Sequence, residues 1–257
     1  MGWMVEYCGV SNIGKYRRTN QDNMVLLNCY MDMKNNEAVG PVQGEVRAGG
    51  SAVFAVFDGM GGEERGEMAS FIAADRMARR KEWTGKEWAG DGRDLTPFCL
   101  EANKNICLYA EANQIHSMGT TAAILKFGTK QIWLCNVGDS RIYRFANGTL
   151  QQISHDHVDI GFYGRKPPLS QNLGIPEEEF IIEPFEATGS YEDGDRYLIC
   201  SDGLTDMVTE EEIAQTLADD PTDGAVDTLL RLALEHGGRD NITMILCRVK
   251  RTSFWTL

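Results

Sequence analysis

The chain has 257 residues, 42% of them hydrophobic, which is enough to bury one large core or two small ones. Its 38 acidic residues outnumber 25 basic ones for a formal net charge of −13, which excludes a nucleic-acid binder working through a broad basic surface. The N-terminus has no basic stretch followed by an apolar run, and no window approaches the roughly 18 apolar residues of a membrane span, so a soluble, cytoplasmic protein without membrane partners is expected.

Residues 4–11 and 23–30 read as the first two strands, separated by the turn-rich stretch 12–20. A Gly- and Asn-containing loop over 32–50 leads to the next strand at 51–57. Two amphipathic helices follow, over about 63–83 and about 96–115, with a loop at 85–92 between them. Glu63, Glu64 and Glu67 suit the first turns of the first helix, and Thr96-Pro97 opens the second. From Gly119 the period changes to strands at 119–127, 131–137, 141–145 and 149–154, with the two-residue hairpin signal Asn147-Gly148 between the last two. Residues 155–172 are irregular, and 180–187 and 196–200 return to strand pattern. Thr209 with Glu212 is a capping-box signature, 221–236 forms a further helix ended by Gly237-Gly238, and 241–249 is the last strand.

No linker, charge block or fixed-period repeat divides the chain, so a single domain over 1–250 with a tail at 251–257 is expected. Strands in runs, with two helices early and two late, suggest stacked sheets with helices outside. The seven cysteines form no CxxC pair and mostly sit in apolar strand or helix patterns, which favours buried reduced thiols.

Asp58, Asp139 and Asp202 each close an apolar strand-like run, Asp240 opens one, and Asp22 lies at the start of another. A carboxylate at the end of a buried strand faces a low-dielectric edge unless something positive meets it. Several such ends in one sheet can meet, and Mg²⁺ and Mn²⁺ take oxygen ligands of this kind. Each acid alone can equally cap a turn, as Asp-Gly pairs at 58–59 and 202–203 readily do.

Six motifs bear on the set as a whole: Arg17-Arg18-Thr19-Asn20-Gln21-Asp22, Asp58-Gly59-Met60-Gly61-Gly62, Met118-Gly119-Thr120-Thr121, Val137-Gly138-Asp139-Ser140-Arg141, Cys200-Ser201-Asp202-Gly203-Leu204 and Gly238-Arg239-Asp240-Asn241-Ile242-Thr243. Their order resembles that of the PP2C-type, metal-dependent serine/threonine protein phosphatases of bacterial type, from about residue 5 to 249. The resemblance implies an α+β fold, a four-layer α-β-β-α sandwich of two mainly antiparallel sheets flanked by helix pairs, with a two-metal centre at one end.

By the same resemblance, Asp58 bridges two Mn²⁺ or Mg²⁺ ions, the Gly59 carbonyl and waters complete one, and Asp202 and Asp240 bind the other. Asp22 sits beside them, holding metal-bound water or a ligand. Water activated between the ions then hydrolyses phosphoserine or phosphothreonine on proteins, and no protein nucleophile is required. Neither a G-x-S-x-G elbow nor a cysteine in a phosphate-cradling loop is present. Arg17 stands where the family places a phosphate-binding arginine, with Arg18 as an adjacent competitor. Asp139 is implied, with Asp202, as a ligand of a third, weaker ion, and Asp206 as part of its shell; a strand-end turn acid is the alternative for Asp139. Thr120 and Thr121 read as strand residues and not as nucleophiles.

The pattern departs from many relatives at Met60, where a histidine thought to protonate the leaving oxygen often stands, and at Gln21, often glutamate. His155-Asp156-His157 invites a metal reading, but no third nitrogen ligand is near in sequence. His116 and His236 read as helix-end residues. The segment 156–173 is short for the family's flap, and Phe254 and Trp255 in the tail have no assigned role. Phosphorylated proteins and a cognate serine/threonine kinase system are the implied partners, and a monomer is expected. The alternatives are a catalytically weak binding module on the same fold, or a phosphatase dedicated to one regulatory phosphoprotein.

Overall fold

A computed structural model describes residues 2–36, 39–49, 52–60, 65–80, 95–159 and 167–252. Apolar residues alternate along its strands, and the two faces go to different cores. In the strand Val53–Met60 (β5 in chain order), Val53, Ala55 and Phe57 face helices, while Phe54 and Val56 face the opposing sheet. This period-2 split is what a sheet covered on both faces requires.

The first sheet contains six strands among the described residues. They are β1 (Gly2–Asn12), β4 (Val39–Arg47), β9 (Arg141–Ala146), β10 (Thr149–Gln152), β12 (Arg196–Cys200) and β13 (Ile242–Thr252), in the order β10-β9-β12-β13-β1-β4. The second runs β11-β8-β7-β5-β2-β3, with β6 paired to β5. Its members are β2 (Asp22–Leu26), β3 (Cys29–Tyr30), β5, β6 (Gly119–Thr120), β7 (Ala122–Phe127), β8 (Gln131–Val137) and β11 (Phe185–Ser190). Every named strand pair is antiparallel.

Between the sheets lies a core of Val5, Tyr197 and Ile245 from one side and Met24, Phe54, Leu125 and Phe127 from the other. α1 (Gly66–Ala78) and α2 (Leu95–Ala112) cover the outer face of the second sheet through Ala69, Ala73, Met77, Phe98 and Ile106. α4 (Glu210–Asp219) and α5 (Thr222–Glu235) cover the first through Ile213, Leu217, Val226 and Leu229, with the single turn α3 (Asp202–Thr205) beside them. The four-layer sandwich of two antiparallel sheets is therefore observed. The Thr209–Glu212 capping box forms in both directions.

Three local expectations are corrected. The run 23–30 is a hairpin and not one strand, because Leu27 adopts φ 65 and turns the chain so that Leu26 pairs with Cys29. The loop 32–50 contains β4, an edge strand on β1 whose Pro41 and two glycines disguise it; an edge tolerates a missing ladder donor. The strand expected at 180–187 begins only at Phe185, after Pro184.

All seven cysteines are free; Cys8, Cys99, Cys135, Cys200 and Cys247 are buried, and Cys29 is exposed. Glu63, Glu64 and the loop 85–92 lie outside the described residues, as do 160–166 of the flap and 253–257 with Phe254 and Trp255. Among the described residues no helix is long and apolar enough to cross a membrane.

Candidate metal centre

Register places the first two acids. β2 and β5 run antiparallel with Asp22 opposite Asp58, so the two carboxylates enter the same end of the second sheet. The same end receives Asp202 at the start of α3, Asp240 just before β13, and Asp139 in the turn after β8, where Gly138 takes φ 95. A cleft of about 390 Å³ is lined by Asp58, Gly59, Asp139, Asp202, Asp206 and Asp240, with Arg17 as the only basic residue on its described wall.

Backbone contacts hold these positions. Thr121 Oγ1 accepts from the Asp58 N–H (3.0 Å), while the Thr121 N–H (2.8 Å) and Thr120 Oγ1 (2.9 Å) donate to the Asp58 carbonyl. Thr121 Oγ1 also meets Ser140 Oγ at 2.7 Å, which ties Asp58 to the turn carrying Asp139. Gly59 donates to the Gln21 carbonyl (3.1 Å), and a Cβ there would collide with the carbonyl oxygens of Gln21 and Gly66. Gly203 packs against the Asn241 carbonyl in the same way, which brings Asp202 and Asp240 together.

Asp22 is buried and held from across the sandwich. Ser201 Oγ donates to its Oδ2 (2.9 Å); the Thr243 N–H donates to Ser201 Oγ (3.0 Å), Thr243 Oγ1 meets Ser11 Oγ (2.7 Å), and Asn20 donates to Ser11 (2.9 Å). Asp22 Oδ1 is buried with no hydrogen-bond partner. Burial, with Asp202 and Asp240 nearby, pushes its carboxyl up to about 7 against the hydrogen bonds that lower it. Asp58 keeps part of its surface open to the cleft, yet enclosure by protein and the charges of Asp22, Asp202, Asp139 and Asp240 raise its carboxyl well above the usual range. Such a carboxylate cluster calls for positive charge.

Arg17 donates through Nη2 to Asp240 Oδ2 (2.5 Å), and that bond together with the surrounding carboxylates holds the guanidinium firmly charged. Asn241 fastens its loop: the amide accepts from the Gln21 N–H (2.8 Å) and donates to the carbonyls of Ile13 (2.9 Å) and Thr19 (3.2 Å). Among the described residues no group of three His, Cys, Asp or Glu side chains forms a ready-made cage for an ion. A hard cation can also be held by a sparser set of carboxylates, with a backbone carbonyl and waters completing its shell.

A sequence profile of the family Protein phosphatase 2C matches residues 42–221. The chain belongs to the protein phosphatase 2C family. It is similar to the serine/threonine phosphatase stp of Listeria welshimeri, 34% identical over 212 residues covering 74% of this chain and 82% of the relative. The crystal structure of the Mycobacterium tuberculosis serine/threonine phosphatase PstP/Ppp superposes with a TM-score of 0.78 at 26% identity, over 96% of this chain and 100% of that one. The PstP catalytic domain in complex with 2 manganese ions superposes with a TM-score of 0.77 at 27% identity, covering 97% and 100%.

In this PP2C chain, Arg17, Asp58, Gly59, Asp139, Asp202, Asp206 and Asp240 share one cleft, with Asp22 buried behind it. Arg18 is exposed and is not on that wall. The His155–His157 segment serves structure: Asp156 takes a bidentate bond from Arg141, and His157 Nδ1 accepts from the Gly138 N–H (3.2 Å), with burial lowering its pKa. His236 caps α5 and meets the Met207 carbonyl (2.8 Å). Sequence reasoning missed the supporting roles of Thr121, Ser201, Asn241 and Ser11. The first three lie inside the six motifs, but their types signal only turn and strand residues.

Proposed function

We propose that this PP2C chain hydrolyses phosphoserine and phosphothreonine on proteins, with Asp58, the Gly59 carbonyl, Asp202 and Asp240 holding a pair of Mn²⁺ or Mg²⁺ ions. The observation that carries this reading is the opposition of Asp22 and Asp58 at the end of one sheet, amid four further acids and one arginine. The donor set fits hard ions, because Asp22 Oδ1 is buried without a hydrogen bond and the cluster holds more negative charge than Arg17 can offset.

When bound, two such ions supply Lewis acidity for in-line attack of water at phosphorus and neutralise the phosphoryl oxygens. Arg17, fixed by Asp240 at the cleft mouth, is the side chain that would bind the phosphoryl group. Asp22, oriented by Ser201, would hold water beside it. Thr121, the one described hydroxyl residue on the cleft wall, is engaged with Ser140 and Asp58, which leaves attack to water. Asp139 together with Asp202 would hold a third, weaker ion, with Asp206 in its shell.

A cognate serine/threonine kinase system, phosphoprotein substrates and a monomeric, cytoplasmic enzyme belong to this reading. The decisive experiment is Mn²⁺-dependent phosphate release from a phosphothreonine peptide. It is expected in the wild type and lost in Asp58→Asn with the circular dichroism spectrum intact. Metal-independent release overturns the mechanism, and no release from a folded, metal-loaded chain would favour a binding module.

A further inference from the structure

The cleft continues past Met60, which it shares with a second cavity of about 740 Å³. That cavity shares Cys107, Glu111 and Pro176 with a third of about 440 Å³, so a groove leads from the carboxylate cluster along α2. Its opposite wall is the turn over 172–180, and buried Asn103 clamps that turn to α2. The Asn103 Oδ1 accepts from the N–H groups of Gly174 (2.6 Å) and Ile175 (3.1 Å), and its amide donates to the Ile175 carbonyl (2.9 Å). Leu173 and Thr120 exchange backbone bonds of 2.9 Å, and β6 in turn pairs with Gly59 and Met60. The groove wall is thus joined through hydrogen bonds to the backbone that carries Asp58.

The groove is acidic and partly greasy. Glu111 comes from α2 and Glu177, Glu178 and Glu179 from the turn, against Lys104 and His116 as basic-type residues. Leu108 on its wall and Phe180 and Ile181 at the end of the turn are exposed. The Cys107 thiol between the cavities is raised by burial, and Glu178, Glu177 and Glu179 add to it, so the field of the turn converges on the groove floor.

We infer that this groove seats the substrate chain next to the phosphorylated residue and selects a segment that carries Lys or Arg together with an apolar side chain. The inference rests on the phosphatase reading of the adjoining cleft. Charge complementarity commits the occupant: a basic segment meets four carboxylates there, whereas an acidic one meets like charge within a chain of net charge −13. The apolar exposures supply area that charge alone would not.

Two phosphothreonine peptides of equal length test it, one flanked by Arg and Leu and one by Glu and Ser. The readout is the ratio of their kcat/KM values, which cancels any common effect on the metal centre. The wild type is expected to favour the basic peptide about tenfold at low salt, and the preference should shrink as salt screens it. In E177K/E178K/E179K the ratio should fall to about one or invert. A ratio that is the same in wild type and variant, or a wild-type preference for the acidic peptide, overturns the inference. If neither peptide is hydrolysed, the phosphatase reading fails separately. Fluorescence anisotropy of the two peptides on full-length Asp58→Asn then decides the groove alone, and equal affinities count against it.

Discussion

Asp22 and Asp58 stand opposite each other across β2 and β5, although 35 residues separate them in the chain. Antiparallel register alone brings the two carboxylates to one sheet end. Their mutual repulsion is expected to make the metal-free fold sensitive to pH and to cations.

Asp22 has its carboxyl pushed from 3.8 up to about 7 in the fold, so between those values the native state binds more protons than the unfolded chain. Stability from this group is full below the unfolded value and is lost as pH rises through about 7. Thermal melts in EDTA should therefore show stability falling over that window, on the order of a few kcal/mol. Mn²⁺ should restore it at pH 8. In Asp22→Asn the pH slope should flatten; an unchanged slope would assign it to other carboxyls.

Thr121→Val keeps the shape but removes the hydroxyl that receives the Asp58 N–H and meets Ser140. Loss of about 1–3 kcal/mol in urea denaturation is expected. Calorimetric titration should show Mn²⁺ binding weakened by about 10- to 100-fold, because the hydroxyl orients a proposed ligand. Lower stability with unchanged Mn²⁺ affinity would limit Thr121 to strand pairing.

Arg17 is half exposed and its pair with Asp240 is a poor source of stability, so Arg17→Ala should leave the melting temperature nearly unchanged. The loss should fall on substrate: about 10- to 100-fold in kcat/KM, most of it in KM. An unchanged KM would remove Arg17 from phosphate binding.

Asp139→Ala should alter turnover while calorimetry still counts two tightly bound Mn²⁺ ions. Asp139 sits in the turn after β8, reaching Asp58 through its field and through the Ser140–Thr121 contact. A count that drops from two to one would make Asp139 part of the core pair.

Much of the centre was legible in one dimension. Continuous apolar runs closed by Asp58 and Asp202 mark buried strand ends, and the order of the six motifs identifies the family. The capping box at Thr209 and the Asn147-Gly148 hairpin are equally local, since their signals span four residues or fewer. The hairpin at Leu27 and the edge strand β4 were hidden for the same reason: an apolar run conceals a turn, and an edge strand needs little local preference.

By itself, the sequence determined where the apolar runs lie, which acids stand at their ends, and to which family the chain belongs. Tertiary structure alone decided that Ser201 would reach Asp22 across 179 residues, that Arg17 would lean on Asp240 across 223, and that α2 and the turn over 172–180 would frame a groove beside Met60. The physical reason is that local preference acts over a few residues. Cross-sheet hydrogen bonds and cavity walls exist only once hydrophobic burial has fixed the register of both sheets and stacked one upon the other.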